Sequence, residues 1–181
     1  MKLYSIETGN FKLDGGAMFG VVPKTIWNKT NPADENNLID LAARCLLIED
    51  GNRLILIDNG LGNKQSEKFF SYYSLWGTHS LEKSLAKHGF HRDNITDVFL
   101  THLHFDHVGG AVVRNESGEL VPKFPNATYH VTEAQWNHAN HHNDREKPSF
   151  LPENFVSLQE HKVLNFVKDG DFLFDCIEVK V

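Results

Sequence analysis

Two apolar segments in the first third of the chain are separated by a short polar turn. Leu41–Glu49 and Arg53–Ile57 are rich in residues that favour strands, and Asp50-Gly51-Asn52 between them is typical of β-hairpins. We therefore predict a pair of antiparallel strands. The second strand is apolar at four successive positions, as expected when both of its faces are covered. It ends at Asp58, so a carboxylate is predicted at the edge of a buried sheet.

A helical region is predicted further along. Apolar residues between Ser66 and His88 recur at three- and four-residue steps, which predicts two helical stretches interrupted at Gly77. Val98–Leu100 then has the character of a short buried strand. Thr101–Gly110 follows it and is predicted to be a polar loop ending in glycine.

The remaining segments alternate in type and complete the fold prediction. We predict a hairpin tip at 115–118, a strand over Ala127–Val131, a helix opening at Thr132, and a turn at 168–171 between two further strands, Val163–Val167 and Phe172–Val181. This order favours a mixed α/β fold with two largely antiparallel sheets. At about 150 residues per domain, residues 1–181 form a single domain.

Composition excludes several classes of function. The net charge is −6, and no basic runs are present, so a nucleic-acid partner is disfavoured. No apolar stretch approaches the ~20 residues of a membrane span, and none resembles a signal peptide, so no membrane partner is expected. The two cysteines lie far apart in the sequence, which favours a reducing compartment. We therefore expect a cytoplasmic protein.

The segment Thr101–Gly110 contains a dense cluster of metal-binding residue types. Its three imidazoles and one carboxylate occupy six positions, as His102, His104, Asp106 and His107. At this composition such a pattern is expected roughly 0.003 times by chance. In an extended chain the first three point to one side, whereas a helix would separate His102 from His104 by about 200°. The motif therefore predicts a strand end followed by a loop.

Imidazole and carboxylate ligands suit Zn²⁺ best, with Mn²⁺, Fe²⁺ and Co²⁺ as alternatives. If His102 and His104 hold one metal while Asp106 and His107 hold a second, two ions about 3.5–4 Å apart can share a hydroxide that is nucleophilic at neutral pH. Such a site predicts hydrolysis. The open alternatives are a polar loop with incidental histidines and a structural zinc site. The latter is disfavoured because no cysteine lies nearby.

The motif, together with Leu54–Gly60 before it, resembles the metallo-β-lactamase superfamily. The resemblance implies an αββα sandwich, with two sheets flanked by helices and a dinuclear metal site at one edge. The ligands that it implies are His102 and His104 for the first ion, and Asp106 and His107 for the second. It further implies that Asp58 supports the motif loop without binding metal. Asp106 would also orient the attacking hydroxide.

A narrower resemblance lies near the N-terminus. Asp14–Lys24, with Trp27 and Pro32–Asn36, is similar to the start of the quorum-quenching N-acyl-homoserine-lactone lactonases. This implies a small lactone or ester substrate. Met18, Phe19 and Trp27, apolar residues after the glycine pair, are candidate contacts to its acyl chain, although core packing is the alternative for all three. Open alternatives are a thioesterase of the glyoxalase II kind, a phosphoesterase of the same fold, or a non-catalytic metal-binding module. A homodimer is also left open.

Part of the superfamily pattern is absent from the sequence. The resemblance implies a third histidine for the first metal, a bridging aspartate and a final histidine, all beyond the strand expected at Phe172–Val181. His161 is the nearest substitute for the third histidine, but it lies before the 169–171 turn. His138 and His142, four residues apart, are candidates for the rim of the site. We expect a domain lacking its C-terminal portion, whose two ligands per metal bind metal weakly.

Overall fold

Ten strands and seven short helices make up the chain. The computed structural model describes residues 1–181. The strands are β1 (Lys2–Asp14), β2 (Leu38–Asp50), β3 (Arg53–Ile57), β4 (Asp97–Phe99), β5 (Val112–Arg114), β6 (Leu120–Pro122), β7 (Thr128–Thr132), β8 (Leu164–Val167), β9 (Phe172–Leu173) and β10 (Ile177–Glu178). The helices are α1 (Gly15–Phe19), α2 (Lys24–Trp27), α3 (Glu67–Ser71), α4 (Leu81–Lys87), α5 (Phe105–Val108), α6 (Glu133–Asn140) and α7 (Val156–Glu160).

Six of the strands form one mixed sheet in the order β1-β2-β3-β4-β7-β8. The two-residue turn after β2 allows β3 to return antiparallel to it. The path from β3 to β4 runs through α3 and α4, a connection long enough for parallel pairing. Ile57 therefore pairs with Phe99, and the carboxyl ends of β3 and β4 meet at one edge of the sheet.

The predicted mixed α/β fold is confirmed, and so are the hairpin after Asp50 and the two helical stretches between Ser66 and His88. The sheets differ in detail from the two largely antiparallel ones expected. One six-stranded sheet is accompanied by two-stranded ribbons, β5–β6 and β9–β10. Three of the five pairings in the large sheet, those joining β3, β4, β7 and β8, are parallel. The chain between the two strands of each parallel pair contains helical turns. Such a connection is long enough for the second strand to run in the same direction as the first.

Three segments depart from the sequence prediction. Strand β1 was not predicted, because a bulge between Glu7 and Gly9 shifts its side-chain alternation. One helical turn, α5, interrupts the loop predicted at Thr101–Gly110. The prediction of a single strand over Phe172–Val181 is wrong: Phe174 and Asp175 take positive φ angles of 56° and 57° and fold the run into the β9–β10 ribbon.

The main core of 23 buried residues packs α4 and α7 against the sheet, with Leu56, Val98 and Tyr129 inaccessible to solvent. A smaller cluster of Phe11, Ala43, Leu61 and Phe105 lies beside the predicted motif loop. None of the helices has the length and apolar character that crossing a membrane requires.

Tyr129→Phe tests a buried polar contact in this core. The Tyr129 hydroxyl accepts a hydrogen bond from the Phe124 backbone N–H at 3.0 Å and donates to the Ala111 carbonyl at 3.2 Å. Its removal leaves a buried N–H unpaired, so we expect a loss of about 1–2 kcal/mol in the free energy of unfolding by urea. Tyr72→Phe, which alters an exposed ring, should change it little. Equal stability of the two variants would contradict this role for the hydroxyl.

Candidate metal centre

Asp58 joins the two ends of the histidine motif. It follows β3 directly with a φ of 60°, in the left-handed region that aspartate tolerates better than most residues. Its Oδ1 accepts the backbone N–H of Thr101 at 2.9 Å, and its Oδ2 accepts the Thr101 hydroxyl at 2.8 Å. The same Oδ2 lies 2.8 Å from Nδ1 of His107. One carboxylate thus fixes both the start of the motif loop and its last imidazole.

Hydrogen bonds between backbone groups connect the motif loop to the turn after β3. The N–H of Asn59 donates to the carbonyl of His107 at 2.8 Å, and the N–H of Gly110 donates to that of Gly60 at 2.9 Å. A Cβ atom on Gly110 would lie 2.2 Å from the Asn59 carbonyl oxygen. A Cβ on Gly109 would lie 2.0 Å from that of Leu61. Gly109 and Gly110 therefore have to be glycine, because their backbone lies in direct contact with the backbone of the loop after β3.

The three motif imidazoles lie against one another. The ring centroids of His102 and His104 are 4.6 Å apart, and those of His102 and His107 are 3.9 Å apart. Burial lowers the pKa of His102 and of His104 below the ordinary value of 6.5, and for His102 the neighbouring imidazoles lower it further. Both rings are therefore neutral at pH 7, the form in which a ring nitrogen can bind a metal.

His107 has a different electrostatic environment. Burial lowers its pKa, but the hydrogen bond with Asp58 and the negative charges of Asp106 and Asp58 outweigh burial, so the net pKa is raised above 6.5. Oδ2 of Asp106 lies 3.6 Å from Nε2 of His107. A carboxylate on each side of the ring favours its charged form. A metal would therefore have to displace a proton from this position.

The motif forms one wall of a cavity of about 530 Å³. Asp58, His102, His104, Asp106 and His107 line its polar side. Its apolar side comes from five segments of the chain and includes Phe11, Leu13, Met18, Leu41, Tyr73 and Phe105. Burial raises the pKa of the Tyr73 hydroxyl, and Asp106 raises it further, so this phenol stays neutral. The cavity thus joins a group of possible metal ligands to an apolar recess.

The sequence pattern indicates little of the apolar side of the cavity, where Met18 is the candidate acyl-chain contact that forms part of the lining. Phe11 and Leu13 lie on β1, whose bulge hides its period, and Tyr73 follows α3. Apolar and polar residues alternate separately before and after Gly9, and this alternation is the signal in the sequence that indicates strand β1. Cys45 also lines the cavity, and burial raises the pKa of its thiol to about 12, so in the metal-free chain it is a neutral thiol at neutral pH.

The other predicted site residues lie outside this cavity lining. Trp27 is buried, with its ring against Gly15 and stacked on Phe19 at 5.0 Å, so Met18 is the residue of this segment that faces the cavity. His161 bonds to Ser157 within α7 and lines a different cavity.

The pair His138 and His142 packs around Phe150. His142 stacks on that ring at 5.7 Å, while Nε2 of His138 contacts the Glu146 carboxylate at 3.2 Å. The Phe150 ring also lies 4.8 Å from that of His104, centroid to centroid. His138 and His142 therefore share Phe150 with His104 as a packing partner and do not line the cavity.

The donor set fits a metal ion in chemical type. Neutral imidazoles and a carboxylate are the ligands that zinc and similar divalent ions accept. Geometrically, no three His, Cys, Asp or Glu side chains of residues 1–181 are grouped as a metal site requires. His107 instead directs Nδ1 at Asp58. The residues present thus fit a metal in chemical type, while their side chains as oriented form no set of three donors.

Comparison with known protein families shows which superfamily carries this sequence pattern. The sequence profile of the metallo-beta-lactamase superfamily matches residues 38–170, which includes β2, the Asp58 turn and the whole histidine motif. The chain belongs to the metallo-beta-lactamase superfamily. The resemblance drawn from the motif is therefore confirmed. No curated protein matches the chain significantly.

Solved structures agree with this membership. A probable metal-dependent hydrolase from Staphylococcus aureus is 31% identical, with a TM-score of 0.84 over 95% of this chain and 60% of its own. AidC, a dizinc quorum-quenching lactonase, is 25% identical, with a TM-score of 0.69 over 96% and 60%. An N-acyl homoserine lactone hydrolase with a product bound at its catalytic metal center is 20% identical and shares the fold, with a TM-score of 0.63 over 95% and 61%. The chain spans about 60% of the length of these superfamily structures.

Asp58→Asn should change the titration of His107 in the metal-free chain. Loss of the carboxylate removes the hydrogen-bond and charge effects that raise the pKa of His107, so that pKa should fall. In the parent, a raised folded-state pKa stabilises the fold fully below pH 6.5, and this stability is lost as the pH rises through the folded pKa. NMR titration and urea unfolding across that range measure both effects.

The control for this prediction is Asp144→Asn, which removes an exposed carboxylate and gives the same change in net charge. It should leave both the His107 titration and the pH dependence of unfolding as in the parent. An unchanged His107 pKa in Asp58→Asn would show that Asp58 does not set the charge of this ring.

Proposed function

We propose that this chain belongs to a metal-dependent hydrolase that opens lactone rings, most closely those of N-acyl homoserine lactones. The observation that supports it most is the juxtaposition of the histidine motif with an apolar recess in a single cavity of about 530 Å³. A lactone with an acyl tail needs both: polar groups at the ester and an apolar surface for the tail. The lactonases among the similar structures point to the same substrate class.

Two zinc ions are the proposed cofactors, with Mn²⁺, Fe²⁺ or Co²⁺ as substitutes. His102 and His104 would hold the first, and Asp106 and His107 the second. Metal ions at such donors lower the pKa of water to near neutrality and polarise a carbonyl group.

Each motif residue has a proposed role that follows from its contacts. Asp106 lines the cavity beside His107, where its carboxylate can orient a water molecule and accept its proton. Asp58 fixes the ring of His107 and the backbone of Thr101, so it acts as a positioning residue. His102 and His104 are neutral and need no deprotonation to act as ligands.

Loss of a motif ligand should abolish hydrolysis. Ring opening of N-hexanoyl homoserine lactone releases an acid, which a pH indicator follows directly in the presence of excess Zn²⁺. His104→Ala and Asp106→Asn are expected to reduce the rate to that of the buffer while the fold persists, because the core packs independently of these side chains. His91→Ala removes an exposed histidine elsewhere and should leave the rate unchanged.

The same assay separates the reaction classes. A thioester and a phosphodiester, offered alongside the lactone, test the thioesterase and phosphoesterase alternatives. Preference for either one, or equal rates for the parent and His104→Ala, would contradict the proposed lactonase. Elemental analysis of the dialysed chain gives the number of metals held.

Asp58→Ala should impair activity without abolishing it. Residues that orient a ligand but do not bind the metal typically contribute ~10–100-fold to metal affinity or activity. We expect a loss in that range in both zinc retention and lactone turnover. Unchanged values of both would remove Asp58 from the site.

Met18→Gln should raise KM for long acyl chains selectively. Met18 lines the apolar side of the cavity, so an amide there should weaken binding of a decanoyl tail and leave γ-butyrolactone, which has no tail, unaffected. Val21→Gln makes the same kind of change on a fully exposed residue of the same segment and is the matched control. Equal KM changes for both lactones would place the acyl tail elsewhere.

A further inference from the structure

A cationic recess lies outside the metal-motif cavity and shares no lining residue with it. It encloses about 420 Å³, and its cationic lining residues are Lys64, Arg92, Arg114 and Lys123. An adjoining cavity of about 590 Å³ shares Arg92, Arg114 and Lys123. Four cations around one recess are unexpected in a chain of net charge −6, because a random distribution would intersperse them with carboxylates.

Two of these cations lack a carboxylate partner. Lys123 is buried and pairs with Glu82, which also lines the recess, and Nε of Arg92 lies 3.5 Å from Asp93. Lys64 and Arg114 form no ion pair. The guanidinium of Arg114 donates one hydrogen bond, to the Gly118 carbonyl at 3.0 Å, and so retains further N–H donors.

The surroundings of Lys64 disfavour its positive charge. Its ammonium donates to the backbone carbonyl of Gly109. Burial, together with the smaller effects of the Lys123 and Arg114 charges, outweighs the opposing charge of Glu153 and lowers the pKa of Lys64 to about 7. A bound anion would offset both the burial and the repulsion.

We propose that this recess binds the phosphate group of a small soluble molecule. A phosphate dianion matches the two cations that have no carboxylate partner, and its three oxygens can accept hydrogen bonds from an arginine fork and an ammonium together. The combined volume of the two cavities accommodates a phosphorylated metabolite rather than the free ion alone. The site is independent of lactone hydrolysis, since no motif residue lines it.

The test is calorimetric titration of the 181-residue chain with pyrophosphate and with inorganic phosphate. The protein is dialysed against a chelator first, so that phosphate cannot bind through a metal at the histidine motif. We expect saturable binding of one pyrophosphate per chain, tighter than phosphate and weakened by added salt. Arg114→Gln and Lys64→Gln should each weaken it about tenfold, the effect of losing one charge-assisted hydrogen bond.

Lys87→Gln provides the control, since it removes one exposed positive charge from α4 outside the recess. Its affinity should equal that of the parent. Arg114 is exposed on a short ribbon, so its variant keeps the fold, and its urea unfolding transition verifies this. Absence of saturable binding at millimolar pyrophosphate would overturn the proposal. The proposal would also be overturned if Lys87→Gln weakened pyrophosphate binding as much as the recess variants do, or if neither recess variant changed the affinity. A parallel titration with phosphatidic acid vesicles tests a lipid headgroup as the source of the phosphate, and binding to the vesicles alone would likewise contradict a small soluble ligand.

Discussion

The carboxylate of Asp58 is the contact on which the site depends. It accepts hydrogen bonds from the backbone and hydroxyl of Thr101 and lies within hydrogen-bonding distance of His107, at opposite ends of the motif. Without it, the segment between these residues would be held by backbone contacts to the turn after β3 and by the buried side chains of Leu103 and Val108. A side chain that makes three contacts of this kind restricts the loop at its entrance and its exit. The imidazoles are therefore held near one another before any metal binds.

Parallel pairing of β3 with β4 makes this contact possible. Because Ile57 and Phe99 pair in the same direction, Asp58 and Thr101 emerge at the same edge of the sheet. The returning chain at Gly109 and Gly110 then packs backbone to backbone on Leu61 and the residues before it. This close approach leaves no room for a Cβ atom. The superfamily motif thus needs its glycines for packing as much as its histidines for chemistry.

Negatively and positively charged side chains lie on different sides of the motif loop. Asp58 and Asp106 give the metal-motif cavity a negative character that favours cations, whereas the recess beside Lys64 is positive. Lys64 connects the two, because its ammonium contacts the carbonyl of Gly109 at the end of the loop.

The sequence by itself determined what is local. The hairpin at Asp50–Asn52, the helices between Ser66 and His88, the histidine motif and its superfamily follow from spacing and residue type, which act over a few positions. Only the tertiary structure decided that β1 supplies Phe11 to the cavity wall, that Trp27 is buried, and that the end of the chain folds as a ribbon. These features depend on contacts between residues far apart in sequence. Their energies come from burial and pairing with distant partners, which no local pattern encodes.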